Sequence, residues 1–214
     1  MQLLNTGGGQ VDTKGISGAS ATHHGIRYKF YATNFSCAGI IILFSSYISA
    51  FWILVHGPDF RINIGLWSIC QKRVVLTCQP HEVLSTVMLV TRFLMTFSTI
   101  FGLIAATFSL LTNSLMRTSR WPFIANGCTA LTLMGTMMFF GSSFSPQYLY
   151  GQPAPDPRLP ITSAWGIYTG YLACLLFSMS AIMYCLIEIQ KIAMKHNPKA
   201  FAQAVRDSGS LADL

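Results

Sequence analysis

Gly65-Leu66-Trp67-Ser68-Ile69-Cys70, followed by Cys78, fills a short polar gap between two long apolar segments. The spacing of the two cysteines suits a small hairpin closed by a disulfide. Before the stretch, Phe60-Arg61-Ile62-Asn63-Ile64 alternates apolar and polar residues with the period of a strand. After it, Val74, Val75, Leu76 and Thr77 are β-branched or apolar, and so strand-like. The gap reads as a compact β element, and the rest of the chain as the means of placing it.

Working outward, four apolar segments stand out: Phe35–Val55, Leu84–Leu115, Pro122–Gly141 and Ala164–Ile189. Each has about 20 residues or more, enough to span about 30 Å of hydrocarbon. The second exceeds that need, which predicts tilt or extension into water. Only 10% of the 214 residues are charged and 52% are hydrophobic, whereas an ordinary soluble domain carries about 25% charged residues. The expected fold is therefore an all-α membrane protein: a four-transmembrane-helix bundle with a small extracellular β-hairpin or sheet. Residues 1–33 are polar and Gly-rich with no apolar core of a signal peptide, and read as a flexible cytoplasmic N-terminal tail. Residues 34–189 form the transmembrane domain. Residues 190–214 form a cytoplasmic C-terminal tail that is partly helical and amphipathic.

The net charge of +7 is a matter of topology. Lys14, Arg27 and Lys29 precede the first apolar segment, Arg117 and Arg120 separate the second from the third, and Lys191, Lys195, Lys199 and Arg206 follow the fourth. The other two loops hold only Arg61, Lys72, Arg73 and Arg158. Basic residues accumulate on the cytoplasmic side, so both termini are expected inside and the Trp67 loop outside. The excess also attracts anionic membrane lipids, and it forms no clustered face of the kind that binds nucleic acid. An outside loop is oxidising, which favours a Cys70–Cys78 disulfide worth about 2–3 kcal/mol.

This combination resembles the extracellular signature of the claudin superfamily, which includes claudins, peripheral myelin and epithelial membrane proteins, and calcium-channel gamma-type subunits. The signature runs Trp, Gly-Leu-Trp, Cys and Cys, and Trp52, Gly65-Leu66-Trp67, Cys70 and Cys78 stand in that order. Arg92, in Val90-Thr91-Arg92-Phe93-Leu94-Met95, matches the Arg the family often carries at the start of its second helix. Gly166-Ile167-Tyr168-Thr169-Gly170-Tyr171 is similar to the opening of its last helix. The likeness covers Asn34 to Gln190. It implies that Trp52 packs under an outer sheet, beside the interfacial-anchor role its position suggests. The first outer loop, His56–Val83, is short for a claudin, so a reduced sheet of two or three strands is expected. Leu211-Ala212-Asp213-Leu214 lacks the Ser or Thr that a PDZ-binding end of many claudins carries.

Individual residues fit this scheme. Arg92 is the one basic residue within an apolar run. Its stem reaches toward the near interface and its fork suits loop carbonyls, so it reads as glue between helix and sheet. Leu66 and Trp67 are expected to seat the sheet on the helix ends. Cys37, Cys128, Cys174 and Cys185 read as small buried hydrophobes, with Cys185 near the inner face also placed for palmitoylation. Ser45, Ser46 and Ser49 suit back-bonding or helix packing. The Met-rich third segment, with Met134, Met137 and Met138, suits polarizable packing. Gly166 and Gly170 are spaced for close helix approach within the bundle. His23-His24 has no further ligand beside it, and the Asn34-Phe35-Ser36 sequon sits at the cytoplasmic mouth. The second outer loop carries Pro146, Pro153, Pro155, Pro157 and Pro160 with Tyr148 and Tyr150 interleaved. It is either a stiff contact surface or a linker.

Two function classes follow. One is a non-enzymatic contact, junction or membrane-organising protein of the plasma membrane. It would act through Lys72, Arg73, Tyr148 and Tyr150 on another membrane protein, in cis or trans, or on its own copies as a homo-oligomer. The other is an auxiliary, gamma-type subunit that modulates an ion channel or receptor. An enzyme or transporter is not expected: no Cys-x-x-Cys, metal-ligand cluster, cofactor motif or intramembrane charged relay occurs, and no small-molecule substrate is implied. A tetraspanin would need a larger second loop with extra cysteines.

Overall fold

The computed structural model describes residues 14–57, 60–72, 75–81, 85–114, 119–143 and 161–196. Helix α1 (Lys14–Ile48) leads into strands β1 (Ile53–His56), β2 (Arg61–Ile64), β3 (Ser68–Lys72) and β4 (Leu76–Pro80). Helices α2 (Thr86–Ser114) and α3 (Arg120–Ser143) follow, then strand β5 (Ile161–Ser163) and helix α4 (Trp165–His196). Each helix contains a stretch long and apolar enough to cross a membrane: Arg27–Ile48, Thr86–Thr112, Arg120–Ser143 and Trp165–Ala193. Helix α1 packs against α2 and α4, and α3 packs against the same two, so the four close into a ring. Leu43, Met95, Leu133, Met137 and Phe177 fill its centre. Helical structure begins at Lys14, within the stretch read above as tail. Helix α4 continues past Ile189 to His196.

Helix α1 stops at Ile48, although the apolar run continues to Val55. The Ser46 carbonyl, one of the acceptors a helix leaves unpaired at its C-terminus, takes Ser49 N at 3.2 Å and the Trp52 indole Nε1 at 2.9 Å. Ile53, Leu54 and Val55 then extend as β1, with Ile53 and Val55 buried and Leu54 and His56 half-buried. Hydropathy alone does not separate the end of a helix from a buried strand that follows it directly. At the start of α2, Ser85 acts as N-cap: its Oγ accepts Met88 N at 3.3 Å.

The sheet has five antiparallel strands in the order β4-β3-β2-β1-β5. This exceeds the two or three expected from the first loop, because both neighbouring segments contribute. Strand β1 comes from the end of the first apolar run. Strand β5 comes from just beyond Pro160, where an edge position tolerates the neighbouring proline. Ile53 faces Ile64, Asn63 faces Cys70, and Cys70 faces Cys78. The Cys70–Cys78 disulfide is present and bridges β3 to β4. Burial falls across the sheet. Strand β1 contributes to the core, whereas every residue of β4 is exposed. The outer hairpin is thus held by its ladder and its disulfide, with little apolar burial. Of the four remaining cysteines, Cys174 is buried, Cys37 and Cys185 are partly so, and Cys128 is exposed, so the expectation of uniformly buried thiols is corrected.

Gly166 and Gly170 both face inward, as expected, but their neighbours differ in kind. A Cβ on Gly166 would meet the Phe51 carbonyl oxygen at 2.7 Å and Trp52 Cδ1 at 2.8 Å. A Cβ on Gly170 would press mainly on the flexible end of Met137. Backbone does not move aside cheaply, while a methionine tip does. Gly166→Ala is therefore expected to destabilise the protein by roughly 1–3 kcal/mol and Gly170→Ala by less than about 1 kcal/mol. Thermal unfolding of the two variants in detergent measures the difference, and equal midpoints would contradict it.

Candidate functional site: a seated sheet with an exposed hairpin

Trp52 lies fully buried at the junction of bundle and sheet. Its backbone N donates to Ile64 O, its carbonyl accepts Ala164 N, and its ring meets Phe140 edge-on at 5.2 Å. Ser46 Oγ donates to Gly166 O at 2.6 Å beside it. Trp52 therefore packs beneath the sheet, and its fully buried indole does not reach the surface as an interfacial anchor would.

Gly65-Leu66-Trp67 divides the seating between three residues. Gly65 lies so close to the Ala50 backbone and Ser49 O that no side chain fits there. Leu66 is fully buried. Trp67 is 40% exposed, and its Nε1 donates to Tyr47 O at 2.9 Å while its ring meets Tyr47 edge-on at 5.2 Å. The large apolar anchor is thus Leu66 with Trp52, and Trp67 works at the surface. Arg92 lies at the centre of this arrangement. Its Nε donates to Leu66 O at 2.6 Å, and its guanidinium lies 5.0 Å from the Trp67 ring centroid, within cation–π range. The glue role read for Arg92 thus has a specific geometry, joining α2 to the β2–β3 turn.

His81 and Tyr47 are also part of the seat. His81 Nε2–H donates to Gly65 O at 2.9 Å, which fixes its tautomer because a carbonyl only accepts. Burial holds the ring's pKa below its ordinary value and the nearby Arg92 charge adds to this, while the Gly65 carbonyl pulls the other way. Tyr47 OH meets Thr96 Oγ1 at 3.2 Å. Neither residue stands in a motif. The only sequence signal was a histidine just before a predicted membrane helix and a tyrosine in a run of serines.

Lys72 is exposed at the end of β3, and Val75 and Leu76 beyond the turn are 71% and 50% exposed. Arg73, Tyr148 and Tyr150 lie outside the described residues. At the opposite end of the bundle, the Glu188 carboxylate accepts Ser119 N and Lys191 Nζ, each at 2.8 Å, with Arg120 Nε at 3.5 Å. This latch ties α4 to the connection between α2 and α3. Arg120 opens α3 and Lys191 and Lys195 lie in the last turns of α4, so these basic residues stand at helix ends away from the sheet, while Arg27 lies within α1. What the arrangement offers chemically is shape and a basic, apolar hairpin tip. No protein-family profile matches the chain, and no curated protein does either.

Three outcomes follow. Arg92→Ala leaves the Leu66 carbonyl unpaired and is expected to cost roughly 1.5–3 kcal/mol. Trp52→Ala is expected to cost about 3–5 kcal/mol and Trp67→Ala less than Trp52→Ala, as read by unfolding in detergent and by surface delivery. Because folding lowers the His81 pKa, the unfolded state binds more protons near pH 6. The His81 contribution is complete above about pH 6.5 and is lost as pH falls through the lower folded value. Unfolding midpoints should decline from pH 7 toward pH 5, and His81→Gln should flatten that decline; an unchanged slope would remove His81 from the account.

Proposed function

We propose that this chain is a claudin-like, non-enzymatic multi-pass protein of the plasma membrane, with both termini cytoplasmic. Its extracellular sheet acts in cell–cell contact, junction formation or membrane organisation. The observation that carries this reading is the β3–β4 hairpin. It projects from a firmly seated sheet and presents Lys72 beside exposed Val75 and Leu76, along an edge strand free to meet another surface. The positive tip favours an acidic patch on its partner. The asymmetry of basic residues about the sheet supports the orientation. A partner in trans or a second copy of the chain fits equally.

The auxiliary-subunit reading draws on a different surface. Leu131 on α3 is 75% exposed, and Met134 and Met138 lie on the same outward side of that helix. A Leu/Met face adapts readily to a neighbouring helix. Gly166 and Gly170 do not serve such a partner, since they are occupied inside the bundle.

Joint replacement of Lys72, Val75 and Leu76 by Ser is expected to abolish aggregation of cells that display the protein, at unchanged surface level. Terminal tags should stain only after permeabilisation. Undiminished aggregation would overturn the contact reading. Loss of a co-purified membrane partner on joint replacement of Leu131 and Met138 by Ala, with aggregation intact, would establish the subunit reading instead.

A further inference from the structure

Trp67 and the first turns of α2 enclose a groove of about 540 Å³, lined by Trp67, Leu89, Val90, Arg92, Phe93 and Leu94, with Thr96 at its foot. Below it, an apolar stripe continues down α2 through Phe93, Phe97, Ile100 and Ile104, all exposed. The Phe93 and Phe97 rings meet at 4.7 Å, tilted by 58°, so the stripe begins as a continuous aromatic surface. From Phe93 to Ile104 a helix rises about 16 Å, close to half of a hydrocarbon core of about 30 Å. The stripe therefore has the length of one leaflet, measured from the level of the sheet.

The upper rim of the groove is cationic. Arg92 commits its Nε to Leu66 O, and among the described residues no carboxylate pairs with it. Its guanidinium lies against Trp67, a residue type suited to the headgroup level. A guanidinium at the edge of an apolar groove, with no carboxylate against it among the described residues, is complementary to an anion carrying an apolar tail. Guanidinium–phosphate pairing is among the stronger charge-assisted contacts.

We propose that this groove is a binding site for a single phospholipid of the leaflet adjoining the sheet, with the phosphodiester on Arg92 and one acyl chain along Phe93, Phe97 and Ile100. The bound lipid completes the seat of the sheet, because its phosphate and Leu66 O share the Arg92 guanidinium. This inference rests on the membrane-spanning reading above, and not on the identity of the partner.

The test uses the full chain, purified in mild detergent, delipidated and titrated with phosphatidylglycerol or with uncharged diacylglycerol of the same chains, read by native mass spectrometry. The expected result is saturation at one phosphatidylglycerol per chain, with diacylglycerol at least about tenfold weaker, a difference of about 1.4 kcal/mol. Leu89→Trp, which fills the groove from an exposed position, should weaken phosphatidylglycerol at least about tenfold while the Cys70–Cys78 disulfide and the unfolding midpoint persist. In the unaltered protein, a phospholipid with a photoreactive acyl chain should label Leu89–Ile104 in preference to the outward faces of α3 and α4. Non-saturating binding of many lipids, even labelling of all helices, or equal binding of diacylglycerol would overturn the site. A dimer that Leu89→Trp dissolves would assign the groove to a second copy and overturn it too. A chain that stays in solution without detergent would overturn the membrane reading with it, whereas a detergent-dependent chain that binds no phosphatidylglycerol refutes the groove alone.

Discussion

The burial of Trp52 is the constraint on which the rest of the structure depends. An indole and a peptide unit placed in the core must find partners for every polar atom, or the cost of desolvating them remains. Each partner of Trp52 comes from a different place: Ser46 O from α1, Ile64 O from β2, and Ala164 N from the junction of β5 and α4. Phe140 of α3 packs on its ring. Helix α1 must therefore end near Ile48, β2 must lie where Ile64 meets Trp52, and the first turn of α4 must hold a residue as small as Gly166. Sheet and bundle are in this way one packed unit.

Above that point, burial declines outward in a graded manner. Strands β1 and β2 share the buried core, β3 is partly covered, and β4 contributes nothing to it. The seat consists of short, directional contacts: Arg92 to Leu66, His81 to Gly65, and Trp67 to Tyr47. The hairpin beyond is held by its backbone ladder and one disulfide. This separates two tasks. Apart from Trp67, the residues that hold the sheet in place are buried or half-buried, while those described at its tip are exposed. The Glu188 latch plays the matching part at the far end, where Ser119, Arg120 and Lys191 close the connection between α2 and α3 onto α4.

Much of the candidate site was legible because its residues are of types that membrane segments rarely carry without reason. Arg92 was the one cation in an apolar run, and a cation there must find carbonyls or an anion. Gly65 and the paired cysteines punctuated a polar gap. Tyr47 and His81 were not legible, because their roles depend on main-chain carbonyls that only the fold brings near. Leu66 and Trp67 were read together as the seat of the sheet, and the structure buries Leu66 while leaving Trp67 at the surface. A tryptophan beside a leucine carries no sign of which will turn inward, since the direction depends on the twist of a turn and the position of α1 beneath it.

The sequence by itself determined four helices long and apolar enough to cross a membrane, the uneven placement of basic residues between the loops, and a disulfide-closed hairpin between the first two helices. These follow from composition and period, which act locally and are written along the chain. Only the tertiary structure decided where α1 stops, that β1 and β5 join the sheet to make five strands, and that Gly166 faces a carbonyl while Gly170 faces a methionine. The reason is physical. A strand taken from the end of an apolar run has the same hydropathy as one more turn of helix. The choice between them is made by hydrogen bonds to residues more than a hundred positions away, as between Trp52 and Ala164.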